Sequence, residues 1–285
     1  MSFSLVPGFA QRYPKDEGDL LSGLDGPVIE SCCTTLEEAR SAQARGADRI
    51  ELCTDLSVGG VTPPRDLVER VVNSLSIPVN VLIRPAPSET DAGVFLSRKH
   101  ATLGTIRGRG PSTAWEGSSE ARRSGRETQS VADDAGRIMG FEAEDFVYAD
   151  EAIAQMIEEI AFCKSVGAAG IVVGALTPSG AVDLVAMRRL VAAAQPLPVT
   201  FHRAYDVCTE DPFEALERII DLGCARLLTS GRAATAWEGR GLLSQLVRRA
   251  GDRLIVMPGR GVTPANLSDL SAFTHAPEYH GTQLP

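Results

Sequence analysis

Lysine is nearly absent from this chain of 285 residues: Lys15, Lys99 and Lys164 are all there is, and none closes a run that reads as a strand. A Schiff-base aldolase needs a lysine amine in its pocket, so that chemistry is set aside. Aromatic residues make up 5% of the chain against 44% hydrophobic content, which leaves a core built from Val, Ile, Leu and Ala. Basic residues are outnumbered 28 to 37, and a net charge of −9 argues against nucleic acid or an anionic membrane as the main partner, because either needs a basic face. No apolar run approaches the roughly 20 residues of a membrane span. Near the start stand Asp16, Glu17 and Asp19, where a secretory leader has a basic stretch followed by an apolar one. The six cysteines include no CxxC pair and two are adjacent, so the expectation is reduced thiols in a cytoplasmic protein, without a disulfide framework.

What is present is an alternation. Short aliphatic runs end in polar or special residues at Val28 to Cys32, Arg49 to Cys53, Val79 to Arg84, Gly170 to Gly174, Val199 to Arg203, Arg226 to Ser230, Leu254 to Pro258 and Glu278 to His280. Between most of them lie helical stretches: Leu36 to Arg45, Glu151 to Val166, Leu184 to Ala194, Pro212 to Leu222 and Leu242 to Ala250. Several stop at a glycine (Gly46, Gly167, Gly223, Gly251), the residue that most readily takes a left-handed C-terminal turn. Strand and helix in alternation require parallel strands with crossover helices. Eight such units in this length predict an α/β fold, a (β/α)8 TIM-type barrel spanning residues 27–285. No GxGxxG follows the first strand, against a dinucleotide-binding sheet.

Two segments fall outside the pattern. Residues 1–26, and a long insertion after the third strand from about Ala86 to Asp145, lack a sustained period and are expected to be disordered. The middle of the insertion, Arg98 to Arg126, is locally basic; a solvated loop is the plainer reading and a contact for an acidic partner the other. The chain stops five residues after His280, so the eighth strand lacks its following helix, and apolar surface beside the first and eighth strands is expected to be exposed. A homo-oligomer stays open.

In a parallel barrel the strand ends converge, and they are the usual catalytic positions. The candidates there are Glu30, Glu51, Arg84, His202, Arg203 and His280, which supply acid, base and anion-binding groups, or else an internal layer of ion pairs closing the mouth. Thr229, Ser230 and Gly231 after the sixth strand, with Gly259 and Gly261 after the seventh, form turns whose amides are candidates for binding a phosphate or carboxylate. The first two strands each carry Glu and Cys two apart, Glu30 with Cys32 and Glu51 with Cys53. Period-two alternation puts each pair on one face, with Cys33 on the other. On residue type alone Cys32 and Cys53 are either packed structural thiols or a soft pair suited to Cu(I).

Several segments together resemble the CutC family of copper-homeostasis proteins: GADRIELCTDLSVGGVTP (Gly46 to Pro63), IRP (Ile83 to Pro85), DFVYAD (Asp145 to Asp150), GALTPSGAVD (Gly174 to Asp183), PLPVTFHRAYD (Pro196 to Asp206), LLTSG (Leu227 to Gly231), MPGRGV (Met257 to Val262) and EYHGT (Glu278 to Thr282). The resemblance implies a (β/α) barrel, a cytosolic location and copper binding or copper tolerance, with copper on Cys32 and Cys53. It implies no settled reaction. The chain departs from the family pattern in three ways. About sixty residues separate Arg84-Pro85 from Asp145-Phe146, the glycine triplet after Met257-Pro258 reads Gly259-Arg260-Gly261, and the last helix is missing. The alternative to copper binding is a barrel enzyme acting on a small anionic metabolite that bears phosphate or carboxylate.

Deleting Ser88 to Glu142 is expected to leave the barrel folded, because the segment has no periodic apolar positions and closure entropy changes slowly with loop length. Thermal melts of the full and shortened chains check this. Loss of the cooperative transition on deletion would show that the segment packs as structure.

Overall fold

Short parallel strands alternate with α-helices throughout the residues that the computed structural model describes, 26–86, 141–282 and 284–285. The strands are β1 (Val28–Cys33), β2 (Arg49–Leu52), β3 (Val79–Leu82), β4 (Gly170–Val173), β5 (Val199–Phe201), β6 (Arg226–Thr229), β7 (Ile255–Pro258) and β8 (Glu278–Gly281). They pair in chain order, β8 returns to pair with β1, and a parallel bridge from Gly259 to His280 joins β7 to β8. The expected (β/α)8 barrel is therefore the fold. The helices that follow strands β1 to β7 are α1 (Leu36–Arg45), α2 (Arg65–Ser74), α3 (Asp150–Ser165), α4 (Leu184–Ala194), α5 (Pro212–Asp221), α6 (Arg240–Ala250) and α7 (Leu267–Thr274).

Local chemistry sets these boundaries. Thr35 accepts from the Glu38 amide at the start of α1, and Asp183 and Asp211 accept from the second and third amides of α4 and α5. Gly46, in a left-handed conformation at φ 103°, ends α1. Helices α2 and α7 lie outside the helical stretches named from sequence; α2 runs out into extended backbone at Leu75, and His275 takes the left-handed position after α7. Most strands also end one or two residues earlier than expected, so Cys53, Arg84, His202, Arg203 and Ser230 lie just past the sheet.

Alternation splits the strand residues between two environments. Ile29, Ile50, Leu52, Val79, Val81, Ile171, Val173, Val199, Phe201, Leu227, Val256 and Tyr279 face outward into one apolar core shared with the helices. The opposite parity faces the barrel axis and mixes apolar residues, among them Leu82, Val172, Leu228, Ile255 and Met257, with polar ones: Glu30, Arg49, Glu51, Asn80, Thr200, Glu278 and His280 are all buried. They neutralise one another in a chain. Arg226 Nε bonds Glu278 at 2.7 Å, Arg49 bridges Glu278 and Glu30, and Glu30 also accepts from Asn80 Nδ2 at 3.1 Å and meets His280 Nδ1 at 2.8 Å. Aliphatic layers usually fill such a barrel; here an ion-pair ladder replaces part of them.

Three expectations need revision or a boundary. The tail and insertion predicted to be disordered lie almost wholly outside the described residues. Residues 141–145 do not: Phe141 is buried, its ring 5.4 Å from that of Phe146, and Glu142 and Asp145 cap the short 3-10 turn Ala143–Phe146. Gly59 is required beneath this segment, because a Cβ there would come 1.8 Å from Phe141 Cζ. A deletion that keeps the fold should therefore stop at residue 140. The apolar surface expected beside β1 and β8 is not exposed, since Ile29, Cys33 and Tyr279 are buried. Thr274 of α7 bonds the Tyr279 hydroxyl at 2.7 Å, and the buried Leu284 packs beside Gly281.

Removing the centre of the ladder should leave two buried carboxylates short of a cation. Arg49→Met is expected to cost about 3–5 kcal/mol. The triple change Arg49→Met, Glu30→Gln, Glu278→Gln should recover much of it. Urea denaturation checks both, and an Arg49→Met midpoint equal to that of the parent would contradict the ladder's role.

Candidate functional site

The carboxyl ends of β1, β2 and β8 bring four chemically active side chains together. Register places Cys32 beside Glu51 and Glu30 beside His280, and Cys53 follows β2 with the same parity as Glu51. Cys32 Sγ lies 3.5 Å from Cys53 Sγ. One ligand atom from each of Cys32, Glu51 and His280 lies within 4.8 Å of the others. Leu82 and Val172 pack against the two cysteines and give the thiols an apolar wall. Cys33 faces the outer core, where burial raises its thiol to about 11.

Charge at this end is set by the ladder beneath it. Burial alone would raise the Glu30 carboxyl, but Arg49, with help from His280, holds it far below the ordinary carboxylate range. Glu51 has no arginine bonded to it, and burial raises its carboxyl to about 7 despite the nearby His280. Its Oε2 makes no hydrogen bond and stands 3.6 Å from His280 Nδ1. Burial would lower His280, yet Glu51 and Glu30 raise it. The Cys32 thiol is held well above its usual range by its bond with Cys53, by burial and by Glu51, so it is protonated when free.

The other strand-end candidates lie elsewhere on the rim. Arg84 donates through Nη1 to the carbonyls of Val58 and Gly60 and stacks on Phe141 and Phe146 at 5.1 and 5.2 Å. His202 packs against Phe146 with 5.1 Å between ring centroids, and its Nδ1 accepts from the Ala204 amide. Burial, and then Arg84, lowers it to about 3. Arg203 bonds Asp206 at 2.9 Å. Neither Arg84 nor Arg203 pairs with Glu30 or Glu51.

The amide cradle expected at Thr229, Ser230 and Gly231 is filled from within the protein. Asp206, buried, accepts from the amides of Ser230 and Arg232 and from the hydroxyls of Thr229 and Ser230, and the Gly231 amide turns to Thr229 Oγ1. The Gly259 amide is likewise committed to the Thr229 carbonyl. The Gly261 amide, the remaining candidate, has no such partner among the described residues.

Arg49, Asn80, Glu278, Asp206 and Arg260 were missed from sequence. Extending the period-two rule backward from Cys53 and His280 reaches Arg49 and Glu278. No such signal marks Asp206, whose partners besides Arg203 lie more than twenty residues away, at the end of β6 and in the loop after it.

Together these features define a (β/α)8 barrel with thiols, a carboxylate and an imidazole gathered at the carboxyl ends of its strands. The chain belongs to the CutC family, whose pattern matches residues 28–96 and 135–284. A family protein CutC of Histophilus somni is 37% identical over 252 residues, 88% of this chain and 80% of that one. The copper homeostasis protein cutC homolog of Homo sapiens is 36% identical over 269 residues, 94% of this chain and 77% of the relative. A crystal structure assigned to the copper homeostasis protein CutC of Streptococcus agalactiae superposes with a TM-score of 0.67 over 91% of this chain and 100% of that one, at 24% identity, a likeness of fold. No helix among the described residues is long and apolar enough to cross a membrane.

His202 gives the site a pH signature. The unfolded chain binds this proton below about pH 6.5 and the folded one only near 3, so stability contributed by His202 falls as pH drops through that window. At pH 5 the loss is about 2 kcal/mol. Urea midpoints at pH 7 and pH 5 check this against His202→Asn, which keeps a cap for the Ala204 amide; the variant should show a smaller acid loss, and equal losses would contradict the assignment.

Proposed function

We propose that the protein binds one Cu(I) ion through Cys32 and Cys53 and serves copper homeostasis in the cytoplasm. The observation that carries this reading is the 3.5 Å approach of two buried thiols against an apolar wall. Thiolates are soft donors and Cu(I) is the soft ion they select, whereas carboxylates favour harder cations. The association of the protein's human relative with copper homeostasis supports the same ion. A reducing compartment suits the six free thiols.

The residues fit the ion in charge as well as in softness. Both thiols must give up a proton to bind, and Glu51 stands beside Cys32 with an unbonded carboxyl oxygen to take it up. Affinity should therefore rise with pH. The second ligand set, Cys32 with Glu51 and His280, is one that a borderline cation such as Zn2+ would use, and it leaves Cys53 out.

Anaerobic titration with Cu(I) against a competing chelator, and in parallel with Zn2+, separates the two sets. The wild type should take up one Cu(I) per chain. Cys32→Ser and Cys53→Ser should each weaken it by more than the roughly 10- to 100-fold that loss of an outer-shell partner costs. Tight Zn2+ binding that survives Cys53→Ser, with no competitive Cu(I) uptake, would contradict the proposal.

A further inference from the structure

The half of the mouth away from the cysteines has a surplus of buried donors. Arg84 Nε, His202 Nε2, Arg203 Nη2 and Arg260 Nη2 are closed to solvent and have no hydrogen-bond partner among the described residues. Because His202 Nδ1 accepts a hydrogen bond, its Nε2 carries the proton and is a donor too. These groups follow β3, β5 and β7, alternate strands whose ends contribute to one level of a barrel. Phe146 sits between two of them, in ring contact with His202 and under the Arg84 guanidinium.

Their charge is not balanced from within. Asp206 is the carboxylate bonded to this group, and its acceptor capacity is taken by Arg203 Nε, Thr229 Oγ1, Ser230 and the Arg232 amide. Arg84 is bonded to carbonyls and Arg260 is in no ion pair among the described residues. Three guanidinium groups thus have one carboxylate bonded among them, with Glu238 acting on Arg260 without an ion pair, and burial, then Arg203, lowers the affinity of Arg260 for its proton. Withdrawing such cations from water without acceptors is costly. Arg260 also holds a left-handed backbone at φ 77°, a conformation that a non-glycine residue keeps only where its surroundings impose it.

We propose that this half of the mouth is a binding site for a small oxyanion, a carboxylate or phosphate group of a metabolite, held by Arg203 and Arg260 with Arg84 and the His202 Nε2 hydrogen behind them. Guanidinium forks suit such groups in two-pronged fashion. Arg84, His202 and Arg203 were already strand-end candidates from sequence; the structure sets these two arginines apart from Glu30 and Glu51 and adds Arg260. The site is separate from the thiol pair and needs no copper.

The test uses the copper-free full chain with inorganic phosphate, malonate and, at matched ionic strength, sodium chloride, read by thermal shift and by calorimetry. Phosphate or malonate should give a saturable stabilisation beyond chloride, and the stronger of the two identifies the oxyanion class. Arg260→Gln should weaken that ligand by at least about tenfold while circular dichroism stays unchanged, since the side chain is half-buried and in no ion pair among the described residues. Arg203→Gln should do the same. If it unfolds by releasing Asp206, the Arg260→Gln result decides. Cys32→Ser/Cys53→Ser should bind the anion like the wild type. No stabilisation beyond chloride, undiminished binding in Arg260→Gln, or loss of binding in the cysteine variant would each overturn the proposal.

Discussion

Glu30 and Arg49 face each other across β1 and β2 inside a closed sheet, where water cannot screen them, and most of what is distinctive here follows from that contact. Neither charge is tolerable alone at that depth. Arg49 must reach Glu278 on β8 as well as Glu30, and Glu278 in turn takes Arg226 from β6. The strands that close the barrel are therefore tied through their side chains as well as through their amides. Between β7 and β8 the backbone contributes one bridge, so this cross-barrel ladder bears much of the closure.

The ladder also prepares the layer above it. With Arg49 spent on Glu30 and Glu278, no guanidinium bonds Glu51, which stays close to neutrality in protonation. Glu30 fixes His280 by its Nδ1, and His280 then stands beside Glu51 and Cys32. The resulting mouth has two characters. Toward β1, β2 and β8 it offers thiols, a carboxyl group and an imidazole over an apolar wall. Toward β3, β5 and β7 it offers guanidinium groups gathered around a saturated Asp206. A soft cation suits the first half and an oxyanion the second.

The fold was legible because both of its signals are local. Short strand-like runs and helical stretches, several of them stopped by glycine, mark most (β/α) units, whereas α2 and α7, which end on Leu75 and His275, carry no glycine stop. The juxtaposition of Cys32 and Cys53 was legible for the same reason, since parity on neighbouring strands needs no knowledge of the rest of the chain. Residues that act through distant partners were not. Glu30 reads as a free strand-end acid until Arg49, Asn80 and His280 are seen around it, and Asp206 reads as part of a loop until β6 is placed against it. Phe141 sits in a low-complexity context and is packed only because Gly59 leaves room for its ring.

The central claim is that the paired thiols, not the harder donors beside them, hold the metal. X-ray absorption spectroscopy at the copper edge, on protein loaded anaerobically with one equivalent of Cu(I), reads the donor atoms directly. The account predicts a shell of two sulfur donors in the wild type, lost in Cys32→Ser/Cys53→Ser. A shell of nitrogen and oxygen donors alone, unchanged when both cysteines are replaced, would contradict it.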